Sequence, residues 1–243
     1  MSSPPSLPLA PSSTEAPADE ELPPLETHVA ITPADQIAGL KLVADSVAQQ
    51  RQLAARILLY HPLHGALFAA LLAGLWHLMY KTRGDIPLIF TTGAGVAMAV
   101  LVGARAATAG YIYAAEAVGR EWLGEDVVLV TKFGGDVIGS LILGWERGEG
   151  RGNRRRKGGR GVVRGWTTKL RYRGKGVGVA LLEEAVRIVA EKGGEEIVFD
   201  DKHANSKRVL PAMYNAPFDR KEAAYRAVLE DVAAVGLGGG KKR

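Results

Sequence analysis

Leu170 to Gly194 reads LRYRGKGVGVALLEEAVRIVAEKGG. Gly174, Gly176 and Gly178 alternate with other residues, Arg173 and Lys175 sit among them, and a helical pattern follows at once. Leu181, Leu182, Ala185, Val186, Ile188 and Val189 recur at helical spacing. Glu183, Glu184, Arg187, Glu191 and Lys192 fall on the other face, and Gly193-Gly194 stop the helix. A helix start leaves backbone N–H groups unpaired beneath a partial positive charge, and glycines let a large ligand approach them. The stretch therefore reads as an anion site.

Two familiar anion loops fit poorly. A Walker A loop needs G-x-x-x-x-G-K-[ST], and Lys175 is followed by Gly176. A dinucleotide fingerprint needs G-x-G-x-x-G with a ribose-binding acid about 20 residues on. Asp200 stands near that place, but Leu181 stands where a further glycine would help. A dinucleotide-binding oxidoreductase stays open as an alternative on that incomplete motif.

The better match is R-x-x-G-x-G, filled by Arg173, Gly176 and Gly178 between WTTKLRY and VALLEEAV. It resembles the acetyl-CoA signature of the GCN5-related N-acetyltransferases (GNAT). The resemblance covers most of residues 26–235 and implies an α/β fold: a mixed central sheet flanked by helices. It implies that Arg173, Gly174, Lys175, Gly176, Val177 and Gly178 hold the pyrophosphate of acetyl-CoA, and that Thr168 and Leu170 pair with its pantetheine arm. It also implies a primary amine as acceptor, without naming that amine, and no metal.

Acetyl transfer to an amine needs amine deprotonation, a polarised thioester carbonyl and a proton for the leaving thiolate. The family often places an Asn and then a Tyr after the fifth strand. Asn205 and Tyr214 stand in comparable places, which makes Tyr214 the expected acid; the spacing is longer than usual and Pro211 interrupts it. No acid stands between Val162 and Leu170, so the expected base comes from His203, Asp200, Asp201 or Glu146. His203 titrates near neutrality without help. An altered Tyr214 region also leaves open an inactive, CoA-binding scaffold. No His/Asp/Glu cluster has metal-ligand spacing.

Around this centre lie several segments of different character. The 243 residues carry 47% hydrophobic residues, a formal charge of +5 and no cysteine, so disulfides, thiolate metal sites and cysteine nucleophiles are excluded. Residues 1–25, rich in Pro and Ser, read as a disordered tail, and GLGGGKKR, residues 236–243, as a flexible one. THVAIT, residues 27–32, reads as a strand, and Pro33 opens a helix. ATAGYIYAAEAVGREWLG reads as one helix closing at Gly124, followed by a β-hairpin turning at Gly134-Gly135-Asp136.

Two runs, Leu63–Tyr80 and Ile86–Ala104, contain no Asp, Glu, Lys or Arg. Each approaches the roughly 20 residues that cross a bilayer. They read as a transmembrane hairpin over residues 63–104, inserted into the domain, with Gly93 and Gly95 allowing close packing. Arg51, Arg56 and Arg105 outside, against Lys81 and Arg83 in the turn, bias the flanks toward the cytosol. This layout resembles the membrane-embedded branch of the GNAT superfamily that works at the endoplasmic reticulum. A pair of buried soluble helices is the alternative. Residues 146–161, ERGEGRGNRRRKGGRG, form a basic loop suited to solvent or anionic lipid; no aromatic residues interleave for stacking on nucleic acid.

Overall fold

In the computed structural model, residues 23–147 and 159–238 are described. Most of the expected tails and the centre of the basic loop, residues 148–158, lie outside them.

Five strands form one sheet in chain order: β1 (Leu25–Val29), β2 (Val127–Phe133), β3 (Asp136–Glu146), β4 (Arg160–Thr168) and β5 (Glu196–Phe199). The first three pairings are antiparallel, and β4–β5 is parallel. A parallel pair needs a crossover, supplied by helix α6 (Val177–Glu191). The sheet is mixed because the glycine loop and its helix lie between those two strands in sequence.

β3 is the centre of the sheet. Its residues Val137 to Gly144 are buried in succession, the pattern of a strand covered on both faces. One face packs under α1 (Pro33–Leu59), through Leu40, Val43, Val128, Val130 and Ile142. The other packs under α6 and α7 (Ala216–Gly238), through Leu141, Val163, Leu181, Leu182, Val189 and Leu229.

Helix α1 starts where Thr32 accepts a hydrogen bond from the Asp35 N–H at 3.2 Å, with Pro33 in the first turn. Its far half leaves the sheet. There Ala54 meets Tyr111, Leu210, Tyr214 and Phe218 in a separate cluster.

From that end rise α2 (Pro62–Met79) and α3 (Ile86–Ala107), joined by a short 3₁₀ turn at Arg83–Asp85. No residue of α2 is buried, and Ile89 is the one buried residue of α3. Gly93 lets Leu72 of α2 come close, its ideal Cβ position lying 3.6 Å from that side chain, whereas Gly95 faces nothing within 4 Å. The chain returns through α4 (Gly110–Glu116) and α5 (Arg120–Leu123).

Several boundaries differ from the sequence reading. β1 covers Leu25–Val29 rather than 27–32, because its register pairs Leu25 with Phe133 and leaves Thr32 to cap α1. The single helix expected before Gly124 is two, separated near Gly119. β4 ends at Thr168, and Leu170 lies in a 3₁₀ turn, Leu170–Tyr172. Helix α7 continues through residues 236–238, where a loose tail was expected.

Candidate active site

β4 and β5 pair only from Arg160 to Val163 on the β4 side. Two more bonds, Asp200 N–H to the Val163 carbonyl and Ala204 N–H to the Arg164 carbonyl, close the seam. Beyond it the strands part, and Trp166, Thr167 and Thr168 line a cleft of about 550 Å³. The opposite walls come from α1 (Ser46, Gln49, Gln50, Leu53), from the His203–Arg208 segment and from α7 (Glu222, Tyr225).

At the mouth stands the glycine loop. Gly174 and Gly176 have φ of 73° and 82°, a left-handed conformation that favours glycine. An added Cβ at either would meet nothing within 4 Å. Gly176 is the N-cap of α6, with no side-chain cap, and the first helical bond runs from Ala180 N–H to the Gly176 carbonyl. The N–H groups ahead of Ala180 have no partner within the helix, which is the donor set an anion takes. Gly178 serves a different purpose. A Cβ there would lie 2.9 Å from Trp166 Cζ2, and the Trp166 indole N–H donates to the Gly178 carbonyl at 3.0 Å.

Of the residues expected for acetyl-CoA, Thr168, Leu170, Arg173, Gly174, Gly176 and Gly178 line the cleft. Lys175 instead lies over the Tyr172 ring, and the Val177 side chain is buried in the core. The Arg173 guanidinium bridges the mouth, donating to the Thr168 carbonyl at 3.1 Å and to Gln49 Oε1 at 3.2 Å. Uncapped N–H groups, open space beside two glycines and an adjacent guanidinium suit a pyrophosphate.

Asn205 and His203 also line the cleft. The Asn205 side chain pairs with Ser46 Oγ at 3.3 Å, and the Asn205 carbonyl accepts from Gln50 Nε2 at 3.1 Å. Gln50 Oε1 is then buried without a partner among the described residues. Asn205 N–H donates to His203 Nδ1 at 3.2 Å, so the neutral ring carries its proton on Nε2, 3.6 Å from the Glu222 carboxylate. Burial pushes the imidazole below its usual range, against the opposing pull of Glu222. His203 thus directs its Nε2–H toward Glu222 and presents no basic nitrogen to the cleft. Burial would raise the Glu222 carboxyl, but Arg226, His203 and Arg208 together hold it below the usual range.

Tyr214 is not among the cleft-lining residues. It is buried in the cluster at the far end of α1, its hydroxyl 3.1 Å from His64 Nε2 and its ring stacked on His64. Because His64 Nδ1 lies 2.7 Å from the Leu58 carbonyl, Nδ1 holds the ring proton and Tyr214 donates to Nε2. The other candidate bases also lie outside the lining. Glu146 pairs with Arg160, Asp200 accepts from the Lys202 N–H, and Asp201 is 97% exposed beside Arg226. Among the described residues no group of three or more His, Cys, Asp or Glu could hold a metal.

The sequence reading missed Ser46, Gln49, Gln50, Trp166 and Tyr225. Ser46, Gln49, Gln50 and Leu53 share one helical face of α1, a signal available in the spacing. Tyr225 packs edge-on to Trp166, ring centres 5.1 Å apart, and is half-exposed.

Residues 105–211 match the model of the Acetyltransferase (GNAT) family. This region is thus similar to that family of acetyltransferases. Similar solved structures include an aminoglycoside acetyltransferase from an uncultured soil metagenomic sample, 16% identical with a TM-score of 0.30, covering 42% of this chain and 64% of that one. Glucosamine-6-phosphate N-acetyltransferase from Arabidopsis thaliana is 16% identical with a TM-score of 0.28, covering 42% and 61%. A Trypanosoma brucei acetyltransferase is 19% identical with a TM-score of 0.34, covering 82% and 90%. The chain spans less than two thirds of the length of the first two. No curated protein matches it.

Proposed function

We propose that the protein is an acetyl-CoA-dependent N-acetyltransferase acting on a primary amine, tethered to a membrane by α2 and α3. The observation that carries the reading is the uncapped, glycine-opened start of α6 at the mouth of a cleft between parting strands. The family match over residues 105–211 agrees with it.

Acetyl-CoA supplies the activated acyl group as a thioester. The backbone N–H groups at the start of α6 and the Arg173 guanidinium would hold its pyrophosphate, and the opened edge of β4 around Thr168 would bind its pantetheine amide groups. Gln50 lines the cleft with its amide N–H held by the Asn205 carbonyl, and would help shape the cleft that receives the amine. Ser46 holds the Asn205 side chain in turn. The Tyr225 phenol on the α7 wall would give the departing sulfur its proton, while Tyr214 packs at the hairpin base. Water carries the proton away from the amine, since the neutral His203 ring already holds one on Nε2.

The acyl-transfer test is a thiol-release screen of amines with the purified full-length protein. Acetyl-CoA-dependent release with at least one amine is expected. Absence of acetyl-CoA binding by calorimetry would remove the cofactor reading, whereas binding without turnover on any amine favours the CoA-binding scaffold.

The membrane reading rests on apolarity joined to exposure. Pro62–Met79 has a mean hydropathy of 1.4 with none of it buried, and the most apolar window within Arg83–Glu116 reaches 2.0 with 6% buried. Soluble core helices of that composition would be covered. The Trp76 and Tyr80 rings stack at 4.8 Å at one end of α2, as aromatic residues do at an interface. The expected location is an endomembrane such as the endoplasmic reticulum, with both hairpin ends and the cleft on the cytosolic side. Alkaline carbonate should leave the protein in the pellet; release into the supernatant would refute the hairpin.

A further inference from the structure

A second groove, of about 620 Å³, runs along the opposite side of the Gln49–Gln52 ridge from the cleft. It lies between α1 and the α3–α4 segment. Its lining changes character along its length. Leu59 and Leu101 wall the end next to the exposed hairpin, Arg51 and Arg105 follow, and Asp45 closes the far end. The Arg51 guanidinium donates to the Arg105 carbonyl at 3.1 Å, which brings the two arginines together at the end of α3. Among the described residues, none of Asp45, Arg51 and Arg105 has an ion-pair partner.

We propose that this groove binds the headgroup of a zwitterionic aminophospholipid, with its chain toward Leu101, its phosphate on Arg51 and Arg105 and its ammonium on Asp45. The inference rests on the membrane reading of α2 and α3. The order apolar, cationic, anionic is complementary to chain, phosphate and amine in that sequence. Arg51 and Asp45 are six residues apart on α1, about 9 Å along the axis. Charge-assisted contacts of about 2.8 Å at each end of the headgroup suit that spacing. A free ammonium donates hydrogen bonds to a carboxylate, whereas a choline group has no N–H and is held by aromatic cages. No aromatic residue lines the groove. The site therefore selects ethanolamine over choline.

The experiment reconstitutes the full-length protein in nanodiscs of equal phosphatidylethanolamine and phosphatidylcholine. The protein is then withdrawn into mild detergent and the retained lipid is quantified. Phosphatidylethanolamine should be enriched roughly three- to tenfold, the scale of a partly exposed hydrogen bond to a charged group. Asp45→Asn, an exposed position with little folding burden, should bring the ratio to that of the bulk lipid. Arg51→Gln with Arg105→Gln should lower total retention, while Arg83→Gln in the hairpin turn should not. A bulk ratio in the unaltered protein, or full enrichment in Asp45→Asn, overturns the site. Failure to enter nanodiscs removes the hairpin reading and the lipid site together, and acetyl-CoA binding in the same preparation reports separately on the acetyltransferase reading.

Discussion

Gly178 and Trp166 form a pair whose energetics follow from their contact. An added methyl at Gly178 would sit 2.9 Å from Trp166 Cζ2, where carbon atoms prefer about 3.5–4.0 Å. The indole has little room to yield. Its N–H is held by the Gly178 carbonyl, and its ring packs on Tyr225 and on Phe199, 6.0 Å away. Overpacking of this kind costs about 1–3 kcal/mol, and loosening the hydrogen bond about another 1 kcal/mol. Gly→Ala inside a helix gives back roughly 0.5–1 kcal/mol. Gly178→Ala should therefore destabilise by about 1–3.5 kcal/mol, a loss of roughly 2–14 °C in melting temperature for a domain of this size. Trp166→Phe removes the offending ring atoms, so adding Gly178→Ala in that background should cost almost nothing. Circular-dichroism melts of the four proteins of the cycle measure the coupling. Additivity within about 0.5 kcal/mol would show that the two residues do not press on each other, and the account of Gly178 would be wrong.

Gly176→Glu should abolish acetyl-CoA binding by calorimetry, since it puts a carboxylate beside the uncapped α6 N-terminus and forces an L-residue into a left-handed backbone costing about 1–2 kcal/mol; unchanged affinity would sink the pyrophosphate site. Tyr225→Phe should lower kcat by about 10²–10⁴-fold with little change in KM for acetyl-CoA, whereas Tyr214→Phe should stay within about threefold and mainly loosen the hairpin base. The reverse ranking in steady-state assays would return the acid role to Tyr214. His203 binds its proton less readily folded than unfolded, so the unfolded chain takes up more protons as pH falls. Its contribution to stability is present above the ordinary value of 6.5 and is lost as pH drops through the depressed folded value. His203→Gln should flatten melting temperature against pH as pH falls below 6.5, and an unaltered slope would contradict the burial of that ring.

The sequence carried the local structure of the signature well. Glycines followed by a 3.6-residue apolar repeat admit few conformations, so the loop, α6 and its apolar face were legible. The hairpin helices were equally plain, because long uncharged runs speak for themselves. Boundaries were harder where pairing partners decide them. Nothing near Leu25 announces Phe133 as its partner, and Gly119 alone does not say that a helix breaks. The cleft was half legible. Residues beside a motif were found; Ser46, Gln49 and Gln50, more than 100 residues away in sequence, were not, because only the fold brings α1 across from the glycine loop. Tyr214 shows the opposite failure. Position relative to Asn205 suggested a role at the cleft, but the 3₁₀ turn Ala212–Tyr214 sets its ring against His64, outside the cleft lining.

Helix α1 sets a working distance. Its 27 residues make one rod of about 40 Å, and the cleft-lining positions Ser46 to Arg56 precede its last residue, Leu59, by three to thirteen residues. The cleft lining thus stands roughly 5–20 Å along that rod from the root of the hairpin. With the hairpin in a bilayer, the rod acts as a ruler. In the proposed membrane-tethered transferase it would keep acetyl transfer close above the headgroups, favouring amines that lie at or are tethered to the surface over those carried high on a bulky soluble partner. Lengthening α1 by whole turns between Leu53 and Leu59 would raise that height in steps of about 5.4 Å without rotating one end against the other by more than a fraction of a turn.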